Sequence, residues 1–148
     1  MSEIKIHFKL TVDEDGYPPI GIESLNGDLI SEGVAKIDNT PFFVEGVALG
    51  DVVNVAQINE SNRKNYQFID VEENSDNIAL SVLFFEKEVG DIVHNYFSIK
   101  NHYCEYGHFP GFSMLAISVP KSEYTNEISL FLDELQEQEI ISYAELSI

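Results

Sequence analysis

The sequence predicts an α+β fold: a small bent β-sheet or partial barrel over residues 1–75, then a β-α-β-β-α-β unit over residues 76–148. Three observations lead there. Apolar residues alternate with polar ones from Ile4 to Val12 and return in short, turn-bounded runs as far as Val71, the period of half-buried strands. Beyond Ile78 the rhythm changes, with Val89, Ile92, Val93 and Tyr96, and later Ile128, Phe131, Leu132 and Leu135, recurring at helical spacing. Only Asn74-Ser75-Asp76-Asn77 separates the two rhythms, too short a junction to let the halves move independently, so they are expected to pack as one unit.

Each element has its own reason. The first strand runs from Ile4 to Val12 and is stopped by Asp13 to Pro19 (DEDGYPP). A polar, glycine-punctuated connection follows to about Gly33, with Ile20, Ile22, Leu25, Leu29 and Ile30 available to anchor it or to form a short strand. Val34–Asp38, Phe42–Glu45 and Asp51–Ile58 read as strands, Asn59–Asn65 as a polar turn, and Tyr66–Val71 as the strand that pairs back. Several short strands joined by tight turns make a strongly bent sheet. In the second half Ile78–Phe85 is a compact apolar strand leading into the first helix. His102–His108 and Phe112–Val119 form a hairpin around Phe109-Pro110-Gly111, Pro120 leads to the second helix, and Ile141–Ile148 closes as a strand. That order is the split βαβ pattern of a ferredoxin-like sandwich, with both helices on one face of a four-stranded antiparallel sheet.

Composition narrows the function classes. The 148 residues carry 44% hydrophobic and 11% aromatic side chains, enough for a packed core, so the 26 Asp and Glu against 8 Lys and Arg place a net charge of −18 on a folded surface. Nucleic acid and anionic membranes need clustered cations, and Arg63 is the single arginine, so neither is expected as a direct partner. Cys104 is the only cysteine; it excludes an intramolecular disulfide and points to a reducing cytoplasm. The opening MSEIKIHFKLTV alternates and carries Glu3, unlike a signal or transit peptide.

Four segments carry a resemblance. Asp15-Gly16-Tyr17-Pro18-Pro19, Ile37-Asp38-Asn39-Thr40-Pro41-Phe42-Phe43, Gly50-Asp51-Val52-Val53 and Ala116-Ile117-Ser118-Val119-Pro120 resemble, in that order, an uncharacterised bacterial family of small proteins classed as a domain of unknown function, with the motif series DGYPP, IDNxPFF and GDxV. The resemblance implies a bacterial origin and a shared fold, and it carries over no catalytic residue.

Candidate chemistry is sparse. Asp13, Glu14 and Asp15 suit a hard cation by residue type, but a calcium loop sets its acids on alternate positions, and three consecutive acids fit a solvated turn better. His102, Cys104 and His108 share strand parity, and His with Cys is zinc chemistry; without a second Cys or a CxxC, sheet packing with an edge histidine is the simpler account. A Cys104 nucleophile would need a base within reach and an oxyanion hole, and the sequence shows neither. Asp38 and Asn39 before Pro41, and Asp51 after Gly50, read as turn chemistry, with a small-ligand cleft between these loops as the other reading. No metal and no cofactor is expected.

The last helix is more telling. Turning 100° per residue from Ile128, Phe131, Leu132 and Leu135 stay within about 60° of the buried stripe. Glu123, Asn126, Asp133, Glu134 and Glu137 gather opposite, with Leu130 among them. From Asn101 onward eight acids face Lys121 alone. Uncompensated like charges cost stability, and an apolar residue inside a charged rim resembles a docking anchor. The expected function is therefore non-enzymatic: an immunity-type inhibitor that neutralises a basic nuclease-type toxin. Glu123, Glu127, Asp133, Glu134 and Glu137 would meet its cations, Leu130 would bury at the centre, and Asp13, Glu14 and Asp15 would form a second patch. The alternative is a small-ligand-binding or regulatory domain with its cleft between the two halves, near Asp38, Asn39 and Asp51.

Overall fold

A computed structural model describes residues 2–59 and 62–148. Strands β1 (Ser2–Lys9), β2 (Ile22–Ser31), β3 (Val34–Ile37), β4 (Val52–Asn59) and β5 (Asn62–Glu73) close in that order into a barrel. β1 runs antiparallel to β2 and parallel to β5, with Ile6 opposite both Leu25 and Tyr66. The alternation of Ile4, Ile6 and Phe8 delivers all three to the barrel interior, where they meet Leu25, Ile37 and Val53.

Five expectations for this half are corrected. The sheet is a closed barrel, which removes the free edges a partial one would expose. The stretch read as a polar connection with at most a short strand is the ten-residue strand β2; its inward positions include Glu23, Leu25 and Gly27, so an acid and a glycine hide the apolar period. Gly27 is there because β1 crosses so close that a Cβ would come within 2.6 Å of Ile6 Cδ1. Phe42–Glu45 is not a strand. Its backbone N–H groups are committed to a side chain, described below, and so cannot feed a ladder. The first strand also stops at Lys9 rather than Val12, and β5 begins at Asn62 rather than Tyr66, while residues 60 and 61 of the expected polar turn lie outside the described residues.

The second half contains β6 (Asn77–Phe84), α1 (Lys87–Ile99), β7 (Tyr103–Phe109), β8 (Phe112–Pro120), α2 (Asn126–Glu137) and β9 (Ile141–Ser147). Its four strands lie in the order β7-β8-β6-β9, each pair antiparallel. Val93 and Phe97 of α1 share one core with Ile128 and Leu132 of α2 and with Leu80, Val82 and Ile117 of the sheet, so both helices cover the same face. Tyr96 and Phe131 stack across the two helices at 3.8 Å between ring centroids. Both helices stop the same way, with a left-handed residue past the C-cap, Asn101 at φ 63° and Glu139 at φ 61°. The N–H two residues past each C-cap reaches back to Phe97 and Leu135 carbonyls respectively, satisfying groups a helix end leaves open. The molecule is thus an α+β fold with two sheets.

α1 approaches β6 through Gly90. A Cβ there would sit 2.3 Å from the Phe84 ring. Gly90→Ala should therefore destabilise the protein by up to about 2 kcal/mol, because overpacking costs about 1–3 kcal/mol and the better helix propensity of alanine returns only about 1 kcal/mol. A thermal melt decides it: a raised midpoint would show that the helix can step away from the ring.

Candidate functional site

The face of the four-stranded sheet that the helices leave open receives the connector between β3 and β4. Asn39 Oδ1 accepts from Asn26 N–H at 2.8 Å, Thr40 Oγ1 donates to the Ile117 carbonyl at 3.5 Å, and Ser81 Oγ donates to the Phe42 carbonyl at 2.7 Å. Glu23, buried on β2, accepts from three successive backbone N–H groups, Phe42 at 2.6 Å, Phe43 at 3.0 Å and Val44 at 2.8 Å. Asp51, only 1% exposed, accepts from Ala48 N–H at 2.9 Å and Ser75 N–H at 2.7 Å, while Ser75 Oγ and Asn77 Nδ2 both donate to the Leu49 carbonyl. The connector therefore fastens barrel to sheet. Its carboxylates satisfy buried backbone donors that would otherwise be orphaned.

This disposes of the ligand cleft as the sequence located it. Asp51 has both oxygens on backbone and no route to solvent, and the Asn39 oxygen is spent on β2. Only Asp38 is exposed, beside a shallow depression of ≈ 290 Å³ that it shares with Lys5, Asn26 and Lys64.

A larger cleft of ≈ 810 Å³ does lie between the halves, with other residues around it. Lys9 to Thr11, Asp13, Tyr17 and Pro18 form one wall, Phe42 to Glu45 the other, and Ser81, Leu83, Met114 and the β9 residues Ser142 to Ala144 lie across it. Aromatic rings brace it: Tyr17 meets Phe43 edge-on at 5.7 Å, Phe43 meets Phe109 at 5.2 Å, and Phe109 stacks on Phe112 at 5.4 Å. Sequence reasoning missed both Glu23 and this cluster. The cluster draws on three distant turns, and the one sign of Glu23 was its shared parity with Leu25 and Gly27.

The acidic helix is where the sequence placed it, with its charges unequally free. Ile128 and Leu132 are buried and Phe131 and Leu135 half-buried, while Leu130 is 66% exposed. Glu127 lies 3.6 Å from Lys100 Nζ and accepts a long hydrogen bond from Tyr96. Glu123 pairs with His102 Nε2 at 3.0 Å, and Asp133 accepts from the Tyr143 hydroxyl. Glu134 and Glu137 are exposed and make no ion pair among the described residues. In the first loop Asp13 Oδ1 accepts from Asp15 N–H and Tyr17 N–H at 2.9 Å each, closing the turn and leaving Glu14 and Asp15 in solvent.

The His/Cys set is scattered. His102 is buried against Phe97 and turns Nε2 to Glu123; its Nδ1 is buried without a hydrogen-bond partner. Burial pushes the Cys104 thiol up to about 11, which keeps it protonated and unreactive at neutral pH. His108 is exposed and faces Ser113 Oγ at 3.0 Å. Among the described residues no three His, Cys, Asp or Glu side chains converge on a metal-sized point. On the barrel's outer surface Ser24 Oγ lies 2.6 Å from His7 Nδ1 and Asn65 Oδ1 lies 3.0 Å from Nε2, a cross-strand polar network that the sequence reading did not foresee.

These features define the class: an α+β protein whose barrel and helix-covered sheet are fastened by a buried carboxylate-bonded connector, with an acidic exterior. The chain belongs to the family described as Domain of unknown function (DUF4265), whose model matches residues 23–143. The match opens at Glu23 and takes in the whole connector, while Asp15 to Pro19 precede it. The chain is also similar to a hypothetical protein from Neisseria gonorrhoeae of known crystal structure, at 19% identity, with 99% of this chain and 94% of that one covered and a TM-score of 0.68. At that identity the likeness speaks for the fold. Curated proteins gave no match. Among the described residues no helix is long and apolar enough to cross a membrane.

Proposed function

We propose that this chain is a cytoplasmic, non-enzymatic inhibitor that captures a basic protein, of the kind an immunity protein offers a nuclease-type toxin, and that the exposed face of α2 is its docking surface. We read residues 76–148, which carry that face, as a ferredoxin-like sandwich set against a barrel of residues 1–75. The observation that carries the proposal is Leu130, 66% exposed on a helix whose neighbouring Glu134 and Glu137 pair with no cation among the described residues. Leaving these charges uncompensated costs stability, and a basic partner would remove that cost while covering the leucine. Complementary charge speeds encounter and disfavours wrong partners.

The test is inhibition of a basic nuclease domain encoded beside this chain, assayed with and without an equimolar amount of the protein. Full activity at equimolar ratio would end the proposal. With inhibition in hand, Glu134→Lys with Glu137→Lys should slow association, and the difference should shrink at high salt, where exposed charges are screened. Leu130→Ala should act on dissociation instead, costing about 1–2 kcal/mol with little salt dependence. Unchanged kinetics in all these variants would remove α2 from the interface.

A further inference from the structure

Independently of capture through α2, we infer that the outer edge of β7 is a self-association surface. A second copy of this chain adds its own β7 there, antiparallel across a two-fold axis at Tyr106, and the two sheets become one.

The outer strands of the sheet, β7 and β9, are treated differently. Such strands carry a row of backbone donors and acceptors that another chain can join, and proteins ordinarily cover or blunt them. β9 is blunted: Gly46 N–H donates to the Leu146 carbonyl at 2.9 Å, and Gln136 Oε1 accepts from Tyr143 N–H at 3.0 Å. β7 has no such cover. Among the described residues no hydrogen bond from a loop, helix or side chain reaches the backbone of Tyr103 to Phe109. The strand pairs with β8 without a bulge and contains neither proline nor lysine, the usual devices that spoil an edge. Tyr106, the bulkiest side chain at its middle, is held back over the sheet, its ring against Phe84 and His94 and its hydroxyl on Asp91.

The occupant follows from register. Phe109 and Phe112 flank the turn at Pro110 and Gly111 and close it as a hydrogen-bonded pair, so Tyr103, Glu105 and Gly107, of the same parity as Phe109, bond to β8. Cys104, Tyr106 and His108 therefore point N–H and C=O outward. A two-fold axis at Tyr106 sets Tyr106 against its own copy and Cys104 against the partner's His108, which uses every outward donor and acceptor. Between them Glu105 meets the partner's Gly107, and Tyr103 meets the partner's Phe109, in the pairs where side chains approach closest. The neighbouring registers are worse. An axis at Glu105 brings two carboxylates face to face, and an axis at Gly107 sets Cys104 against the partner's Pro110, which has no N–H to give. The edge is thus complementary to itself in one register.

Charge sets the conditions. Glu105 is the only acid on β7, but each chain carries a net −18, so two copies repel at long range. Salt should therefore tighten the dimer, the opposite of its effect on capture of a basic protein. α2 lies beside β9, at the far edge of the sheet, and stays open in the dimer.

Sedimentation equilibrium on the full chain is the first test. It should give twice the 16.7 kDa of one chain in about 1 M NaCl, where the Debye length is about 3 Å, and a dissociation constant about tenfold or more weaker in about 0.01 M, where it is about 30 Å. His108→Pro removes an outward donor and puts ring atoms in the partner's path, while the monomer tolerates it because that N–H faces solvent. Its dissociation constant should rise by about tenfold or more with the monomer's melting point little changed. Hydrogen exchange on the native chain reads the parity without any variant. The Cys104, Tyr106 and His108 amides should gain protection as concentration rises, whereas those of Tyr103, Glu105 and Gly107 are protected throughout. In a sample mixing labelled and unlabelled chains, an NMR contact between Glu105 Hα and the partner's Gly107 Hα fixes the register. A monomer at every concentration and salt, a dimer whose Cys104, Tyr106 and His108 amides stay unprotected, or a dimer as tight with His108→Pro would each overturn the inference. A contact of Glu105 with its own copy would overturn the register. Protection of those amides that appears only on adding a basic protein would assign the edge to that protein and end self-association. None of these outcomes touches the inhibition assay, which decides the α2 proposal by itself.

Discussion

Glu23→Ala should lower stability by about 3 kcal/mol, more than any surface change in the chain, because it deletes one acceptor and strands three donors. Each buried N–H left without a partner costs about 1–3 kcal/mol, and water at the half-buried Phe42 and Val44 amides recovers part of the sum. In a protein of this length that corresponds to a melting point lower by about 6–12 °C. Glu23→Gln tests the chemistry separately. It keeps the shape but replaces an accepting oxygen by an NH2 group that faces an N–H, so it should rescue only a fraction of the loss. Hydrogen exchange locates the effect: the Phe42, Phe43 and Val44 amides should lose protection in both variants ahead of the strand amides of β6. Unchanged protection at those three positions would show that the carboxylate is not what orders the connector.

Leu132→Ala should cost about 2–5 kcal/mol, since a fully buried leucine leaves both its transfer energy and a cavity behind when truncated. Two residues away, Leu130→Ala should stay within about 0.5 kcal/mol of the native chain, because most of that side chain already lies in solvent. The pair separates core from surface on one helix in a single set of urea or thermal unfolding curves. Equal losses at both positions would mean that α2 is rotated about its axis relative to the sheet, and would remove Leu130 as a docking anchor. A near-silent Leu132→Ala would mean that α2 does not close the core it shares with α1.

What the sequence by itself determined is whatever rests on period and local chemistry. The strand at Ile4–Phe8, both helices of the second half with the buried stripe of α2, the hairpin around Pro110, and the acid face carrying Leu130 are each written in residues close along the chain, so a window of about ten shows them. Tertiary structure decided the rest. The full length of β2 was illegible because its inward face carries Glu23 and Gly27, and these make sense only once Ile6 of β1 packs where a Gly27 Cβ would sit and the connector brings its N–H groups to Glu23. Phe42–Glu45 has the composition of a strand and is denied the conformation by that same carboxylate. Asp51 has the look of a ligand-binding acid and is consumed by Ala48 and Ser75, the latter 24 residues away. The cleft draws its walls from the first loop, the connector and the last strand. Its existence depends on how a barrel settles on a sheet, and burial that joins residues so far apart in the chain leaves no period for a sequence to display.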